Sequence, residues 1–350
     1  MNSRHEFAIV FLSESCSWIL QLFYKEVLSM ITPVTYPDAL DYWLKLANSC
    51  PDRISYEGIR SSPFFGKCNN ELFLREARLY RLDPPLNILF PHAGNRIKTQ
   101  ALLPHVIPNG IPPSSFVQLS DYLYVICPEL AFLLAAPDSS LVNLIRIGCD
   151  LCAIYRSDSF SNYAQVDRTP VTNQKNLSEY LANASNISGI KKARQAARYV
   201  LDNSNSPMES IIASVLNTPF FLGGGGMNDL HLNKIVRLSE RGASSLGRST
   251  CKVDIAYSSE KKAIEYDSNL VHLTPEQHAY DKKRVNALLL SGYEVFTITY
   301  DHLCSYDKID ELILDLRSFL GMRTKIDQFE KYKYVRWKVY DEMFPKFKLS

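Results

Sequence analysis

Three acidic residues sit in two adjacent strand-like segments. Cys251-Lys252-Val253-Asp254-Ile255-Ala256-Tyr257 is followed, after the charged turn Ser258-Ser259-Glu260-Lys261, by Ala263-Ile264-Glu265-Tyr266-Asp267. Strand residues alternate faces. Val253, Ile255 and Tyr257 are therefore expected on one face with Asp254 on the other, and Ile264 and Tyr266 on one face with Glu265 and Asp267 on the other. Paired as a hairpin, the segments bring three carboxylates to one patch. Like charges that close repel, and a carboxylate taken out of water needs a partner. A hard divalent cation held by oxygen ligands is such a partner. The plainer alternative makes Asp254 and Glu265 solvent-facing strand residues and Asp267 a turn residue, although acids are disfavoured in strands.

The elements that must position these acids are legible on either side. Ser206-Pro207-Met208-Glu209 combines an N-cap serine, a proline at the first helical position and a glutamate three residues after the cap, opening a helix through Ile211, Ile212, Val215 and Leu216. Thr274-Pro275-Glu276-Gln277 opens a second helix through Ala279, Val285, Leu288 and Leu289, which stops at Gly292. A buried-looking strand over 294–299 and a helix from about Asp307 to Leu320 come next. The order helix, strand, strand, helix, strand, helix predicts an α/β domain, a mixed sheet flanked by helices. Gly223-Gly224-Gly225-Gly226 lacks the GxxxxGK pattern and reads as a turn.

The 350 residues exceed one ordinary core and predict two domains. A net charge of +2 implies no nucleic-acid or membrane partner by charge balance alone. Eight scattered cysteines fit a reducing cytosol. Cys149 and Cys152 form one CxxC with no second ligand pair nearby, and read as small buried residues. Phe7 to Tyr24 is apolar but interrupted by Glu14, and reads as a buried helix or as an extension upstream of a start at Met30, ahead of a membrane anchor. Residues 1–29 are thus an extension. Residues 30–190 form a separate α+β domain, strand-rich from about 70 to 135, and residues 200–322 form the α/β domain. The boundary is expected between about 160 and 205, in polar sequence. Residues 323–350 form a tail in which Arg323, Lys325, Lys333, Arg336 and Lys338 interleave with Phe329, Tyr332, Trp337 and Tyr340. That pattern suits phosphates and bases, or a helix packed on the body.

Residues about 204–305 resemble the PD-(D/E)XK restriction-endonuclease-like nucleases, in the branch similar to very-short-patch-repair endonucleases. The resemblance rests on Val253-Asp254-Ile255, Ala263-Ile264-Glu265-Tyr266-Asp267, His272, Asp281 and Arg284 on the next helix, and Gly292-Tyr293-Glu294-Val295. Glu209 stands where that superfamily often carries an acid on its first helix. The resemblance implies Mg²⁺- or Mn²⁺-dependent hydrolysis of nucleic-acid phosphodiesters, DNA first. Asp254 and Glu265 would be metal ligands, Glu209 and Asp267 would assist, His272 would be a general acid or partner of metal-bound water, and Arg284, Lys282 and Lys283 would contact phosphate. Asp267 occupies the position usually held by lysine. Lys282, Lys283 or Arg284 could replace that cation, or the fold could bind nucleic acid or regulate without chemistry. The first half, at Cys127-Pro128-Glu129-Leu130, also resembles abortive-infection type IV antitoxin proteins, which implies a bacterial anti-phage or toxin–antitoxin setting. A cytoplasmic protein with no membrane partner is expected, and a homodimer is left open.

Overall fold

The computed structural model describes residues 33–46, 51, 53–54, 70–95, 98–121, 123–156, 168–257, 259–267 and 275–344. The apolar N-terminal stretch, Met30, His272 and Thr274 lie outside the described residues. The chain is mixed α/β and divides into two compact units. One comprises Met1–Ala39, Pro51–Pro108 and Pro113–Cys127, the other Leu40–Cys50, Asn109–Pro112 and Pro128–Ser350.

The first unit is built on six short strands: β1 (Pro33–Val34), β2 (Arg53–Ile54), β3 (Leu86–Phe90), β4 (Leu102–Val106), β5 (Phe116–Gln118) and β6 (Tyr124–Ile126), in sheet order β2-β5-β6-β1-β3-β4. Helix α1 (Asp38–Lys45) follows β1, and α2 (Asn70–Leu79) precedes β3. Val34, Ile88, Phe90, Phe116, Val117 and Val125 are fully buried.

The long continuous part of the second unit runs from Pro128. Its first helices are α3 (Pro128–Ala135), α4 (Leu141–Leu151), α5 (Gln174–Asn183) and α6 (Ile190–Ala197). These belong with the C-terminal sheet because a buried polar network joins them to α7 (Pro207–Asn217). Asp150 on α4 accepts from Tyr155 Oη at 2.5 Å and from Arg146 Nη1 at 2.6 Å. Tyr155 Oη in turn meets Ser210 Oγ of α7 at 3.1 Å. Buried polar groups persist only when partnered, so this network holds α4 and α7 as one body. Cys149 and Cys152 are buried and unbridged, and burial pushes the Cys149 thiol up to about 12.

After α7 come β7 (Leu230–Arg237), α8 (Glu240–Leu246), β8 (Thr250–Tyr257), β9 (Lys262–Asp267), α9 (Pro275–Leu290), β10 (Glu294–Thr299) and α10 (Tyr306–Phe319). The sheet order is β10-β9-β8-β7. β7, β8 and β9 are antiparallel neighbours, and β10 returns parallel to β9 after the α9 crossover. Two cores cover this sheet. The larger joins Ile212 and Leu216 of α7 to Leu232, Ile255, Ile264 and Ile298 of the strands and to Ile313 and Leu316 of α10. The smaller joins Val253, Ala256 and Ala263 to Ala287 and Leu288 of α9. Ala256 stands directly opposite Ala263, and two small side chains side by side leave room for α9.

The glycine run is a turn, as expected. Gly223 has φ +90°, and a Cβ at Gly224 would meet the Thr218 carbonyl oxygen at 2.1 Å. Arg317 of α10 fixes the run by donating to the carbonyls of Gly225 at 3.2 Å and Gly226 at 2.9 Å.

The tail folds onto the body as α11 (Ile326–Lys331) and α12 (Lys333–Met343). Arg336 is fully buried, and its guanidinium grips both carboxylate oxygens of Asp310 at 2.9 and 3.0 Å. Tyr340 Oη donates to the same carboxylate at 2.8 Å. Arg336 is thus a core residue, not a phosphate contact.

Candidate active site

Asp254, Glu265 and Arg284 meet where β8, β9 and α9 come together, and Glu209 of α7 lies near enough for its charge to bear on them. Each carboxylate has a local reason for its place. Ser206 caps α7, its Oγ accepting from Glu209 N at 3.1 Å. The Glu209 side chain reaches back past the cap to accept from Asn205 N at 2.9 Å. The helix start therefore holds this buried acid over the sheet.

Asp254 and Glu265 come from neighbouring strands, in register just beyond the Ile255–Ile264 pair. Each carboxylate accepts from the other strand's backbone. Tyr266 N donates to Asp254 Oδ2 at 3.0 Å, and Asp254 N to Glu265 Oε1 at 3.4 Å. Arg284 Nη2 ion-pairs closely with Glu265 Oε2 and lies 3.8 Å from Asp254 Oδ1.

The strict alternation expected of β8 does not hold. Val253 packs in the smaller core, whereas Ile255 and Tyr257 pack in the larger. The cause lies on β7. Asn233 is left-handed at φ +50°, a conformation that asparagine tolerates better than most residues. Its neighbours pair as Leu232↔Ile255 and Lys234↔Val253, which places Asn233 opposite Asp254. The pleat is broken at this pair, and the two strands exchange faces together. Asn233 Nδ2 donates to Glu209 Oε2 at 2.6 Å and to Asn203 O at 2.9 Å. Its Oδ1 is buried without a partner among the described residues.

Asn233 is the site residue that strand periodicity conceals. The only signal for it is an asparagine inside the apolar run Leu230-His231-Leu232-Asn233.

The further acids whose charges reach the pair are Glu209, on Glu265, and Asp281, on Asp254, not Asp267. Burial pushes the Glu265 carboxyl up to about 8, the charges of Asp254 and Glu209 add to that rise, and Arg284 opposes it. Burial likewise raises Asp254, opposed by Arg284, and raises Glu209, reinforced by Asp254. Burial alone would lower Arg284, but Glu265, Asp254 and Asp281 raise it further, so the guanidinium stays charged. Asp267 ends β9 opposite Thr299 of β10 and makes no hydrogen bond or ion pair with the other acids among the described residues. Lys282 and Lys283 are exposed on α9. Of the three cations considered, Arg284 is the one brought to the carboxylates. It pairs with them rather than with Asp281 one turn away.

Among the described residues, no three His, Cys, Asp or Glu side chains gather closely enough to hold a metal alone. Mg²⁺ asks for less, keeping several waters and taking one or two carboxylates plus substrate phosphates. The paired Asp254 and Glu265 carboxylates against one guanidinium, with the charge of buried Glu209 bearing on them and the unpartnered Asn233 oxygen beside Glu209, form an oxygen-rich site short of positive charge. A divalent cation fits it.

No helix of the described residues is long and apolar enough to cross a membrane. No family model, curated protein or solved structure matches the chain.

Proposed function

We propose that the second unit is a metal-dependent nuclease of PD-(D/E)XK type, hydrolysing phosphodiester bonds of nucleic acid. The observation that carries this reading is the convergence of Asp254 and Glu265 from adjacent antiparallel strands, beside the helix-borne Glu209. The sheet order β10-β9-β8-β7, with β10 returning parallel through α9, supports it.

In this reading Asp254 and Glu265 hold Mg²⁺ or Mn²⁺. When bound, the ion would supply a water of lowered pKa and neutralise charge on the phosphoryl oxygens. Glu209, fixed by Asn205 and Asn233, accepts a proton at its carboxylate. Arg284 offers a guanidinium where the superfamily usually places lysine, stabilising charge that develops on phosphate.

A specific observation favours a second reading. Arg284 already pairs with both carboxylates, so the guanidinium could stand in place of a metal in a fold that binds without cutting. Titration calorimetry with Mn²⁺ separates the two. A nuclease site binds the ion in the wild type and loses it in Asp254→Ala. A site filled by Arg284 binds the ion only in Arg284→Met.

A further inference from the structure

A cavity of about 850 Å³ opens on the second unit beside the glycine turn, within the range of about 300–1,000 Å³ typical of ligand pockets. Its walls come from the residues just after α6, the C-terminal end of α7, the start of β7, and the segment entering α11. Arg317 is fully committed to building it. Besides the glycine carbonyls, its guanidinium donates to Arg323 O at 2.9 Å and Thr324 Oγ1 at 2.8 Å, and it stacks 4.6 Å from the Phe220 ring centroid.

The remaining cations have no such employment. Arg198, Arg323 and Lys325 line the cavity, are exposed, and form no ion pair among the described residues. Phe221 lies on the same wall with 54% of its surface exposed, and Tyr332 contributes a second ring. The one acid there, Asp229, sits 3.6 Å from His231. Unpaired cations beside an exposed phenyl ring match what a single-stranded nucleic acid needs, phosphate neutralisation alternating with base stacking. A paired duplex keeps its base faces covered, and an exposed ring gains little from it.

The cavity is continuous in the chain with the carboxylates. Leu201 lines it, whereas Asn203 O and Asn205 N bind the Asn233 and Glu209 side chains. Leu230 and His231 line it, and Asn233 lies two residues further along the same strand, about 7 Å at about 3.3 Å per residue.

We infer that this cavity is the strand-holding half of the site. It takes single-stranded nucleic acid by its phosphates and bases and leads the chain toward Asp254 and Glu265. The inference rests on the nuclease reading for its direction but can fail separately.

The test is fluorescence anisotropy on the full chain in EDTA, with labelled single-stranded DNA, single-stranded RNA, duplex DNA and a mononucleotide as probes. Two variants accompany the wild type: the triple charge reversal Arg198→Glu/Arg323→Glu/Lys325→Glu and the exposed-ring variant Phe221→Ala. Circular dichroism confirms that each is folded. The expected result is single-strand binding in preference to duplex. The triple variant loses at least about tenfold, with a shallower salt dependence, and Phe221→Ala loses about fivefold or more. The DNA and RNA arms decide which strand is taken.

Wild-type affinity in both cavity variants overturns the inference, as does a duplex preference, a mononucleotide that binds as tightly as the strand, or no strand binding at all. Cleavage that depends on Asp254 but ignores the cavity variants would leave the nuclease reading standing and remove this one. Strand binding through the cavity without cleavage would do the reverse.

Discussion

Arg284 Nη2 ion-pairs with Glu265 Oε2 from one helix to the neighbouring strand, and the same nitrogen lies 3.8 Å from Asp254 Oδ1. This guanidinium is the cation among the described residues that neutralises the buried acids directly. Removing one partner of a buried pair leaves an uncompensated charge and costs roughly 3–5 kcal/mol. Arg284→Met is therefore expected to lower the urea midpoint, clearly at pH 9 and much less at pH 5, where the acids hold protons. Arg284→Lys, which keeps the charge but not the planar fork, falls between.

The same acids set a pH dependence. Glu265 titrates near 8 in the folded chain against an ordinary 4.5. Between these values the folded chain holds a proton that the unfolded chain has lost. The stability this contributes is complete below about 4.5 and is lost as pH rises through about 8. Asp254 and Glu209 are raised as well and add slope of the same sign. Denaturation followed from pH 5 to 9 should show stability falling through this window, with a flatter curve for Glu265→Gln. Added Mg²⁺ should raise the melting temperature more at pH 8.5 than at pH 6, because the ion competes with protons for the carboxylates.

Asn233 both bends β7 and steadies Glu209. Asn233→Gly keeps the left-handed backbone and loses the hydrogen bonds, whereas Asn233→Ala loses both. Calorimetry should place Asn233→Gly about 1 kcal/mol below wild type and Asn233→Ala roughly 1–2 kcal/mol lower still, from the cost of φ +50°. Equal stability of the two variants would show that the strand relaxes and that no strain is held there.

Much of this architecture is written in local chemistry. The Ser206 cap, the β8–β9 hairpin, the α9 crossover and the glycine turn each arise from residues a few positions apart, and each is found. The missed features come from distant residues. The exchange of faces at Asp254 is set by Asn233, twenty-one positions away on another strand, and no period within β8 can reveal it. The Tyr155–Ser210 contact likewise joins residues 55 positions apart across a polar stretch that composition marks as a linker. Of the candidate acids, Asp254 and Glu265 were legible because they share a hairpin. Asp267 shares it too but lies two residues too far along, at the end of β9 opposite Thr299 of β10.

Arg336 offers a check on the tail. As a buried ion pair with Asp310 it should cost roughly 3–5 kcal/mol when changed to Ala. Joint replacement, Arg336→Met with Asp310→Leu, should recover most of the loss in the same denaturant titration. A tail residue held in reserve for phosphates would instead change affinity and leave the unfolding midpoint in place.

The central claim, that Asp254 and Glu265 form a metal-dependent nuclease site, is met most directly by one comparison. Wild type, Asp254→Ala and Glu265→Ala are incubated with end-labelled single-stranded and duplex substrates, DNA and RNA, in Mg²⁺, Mn²⁺ or EDTA, and the products are resolved on a sequencing gel. The account predicts cleavage by the wild type with either metal, none in EDTA, and a loss of about a hundredfold or more in each variant. Equal cleavage by all three proteins, or none by a wild type that binds the strand, would contradict it.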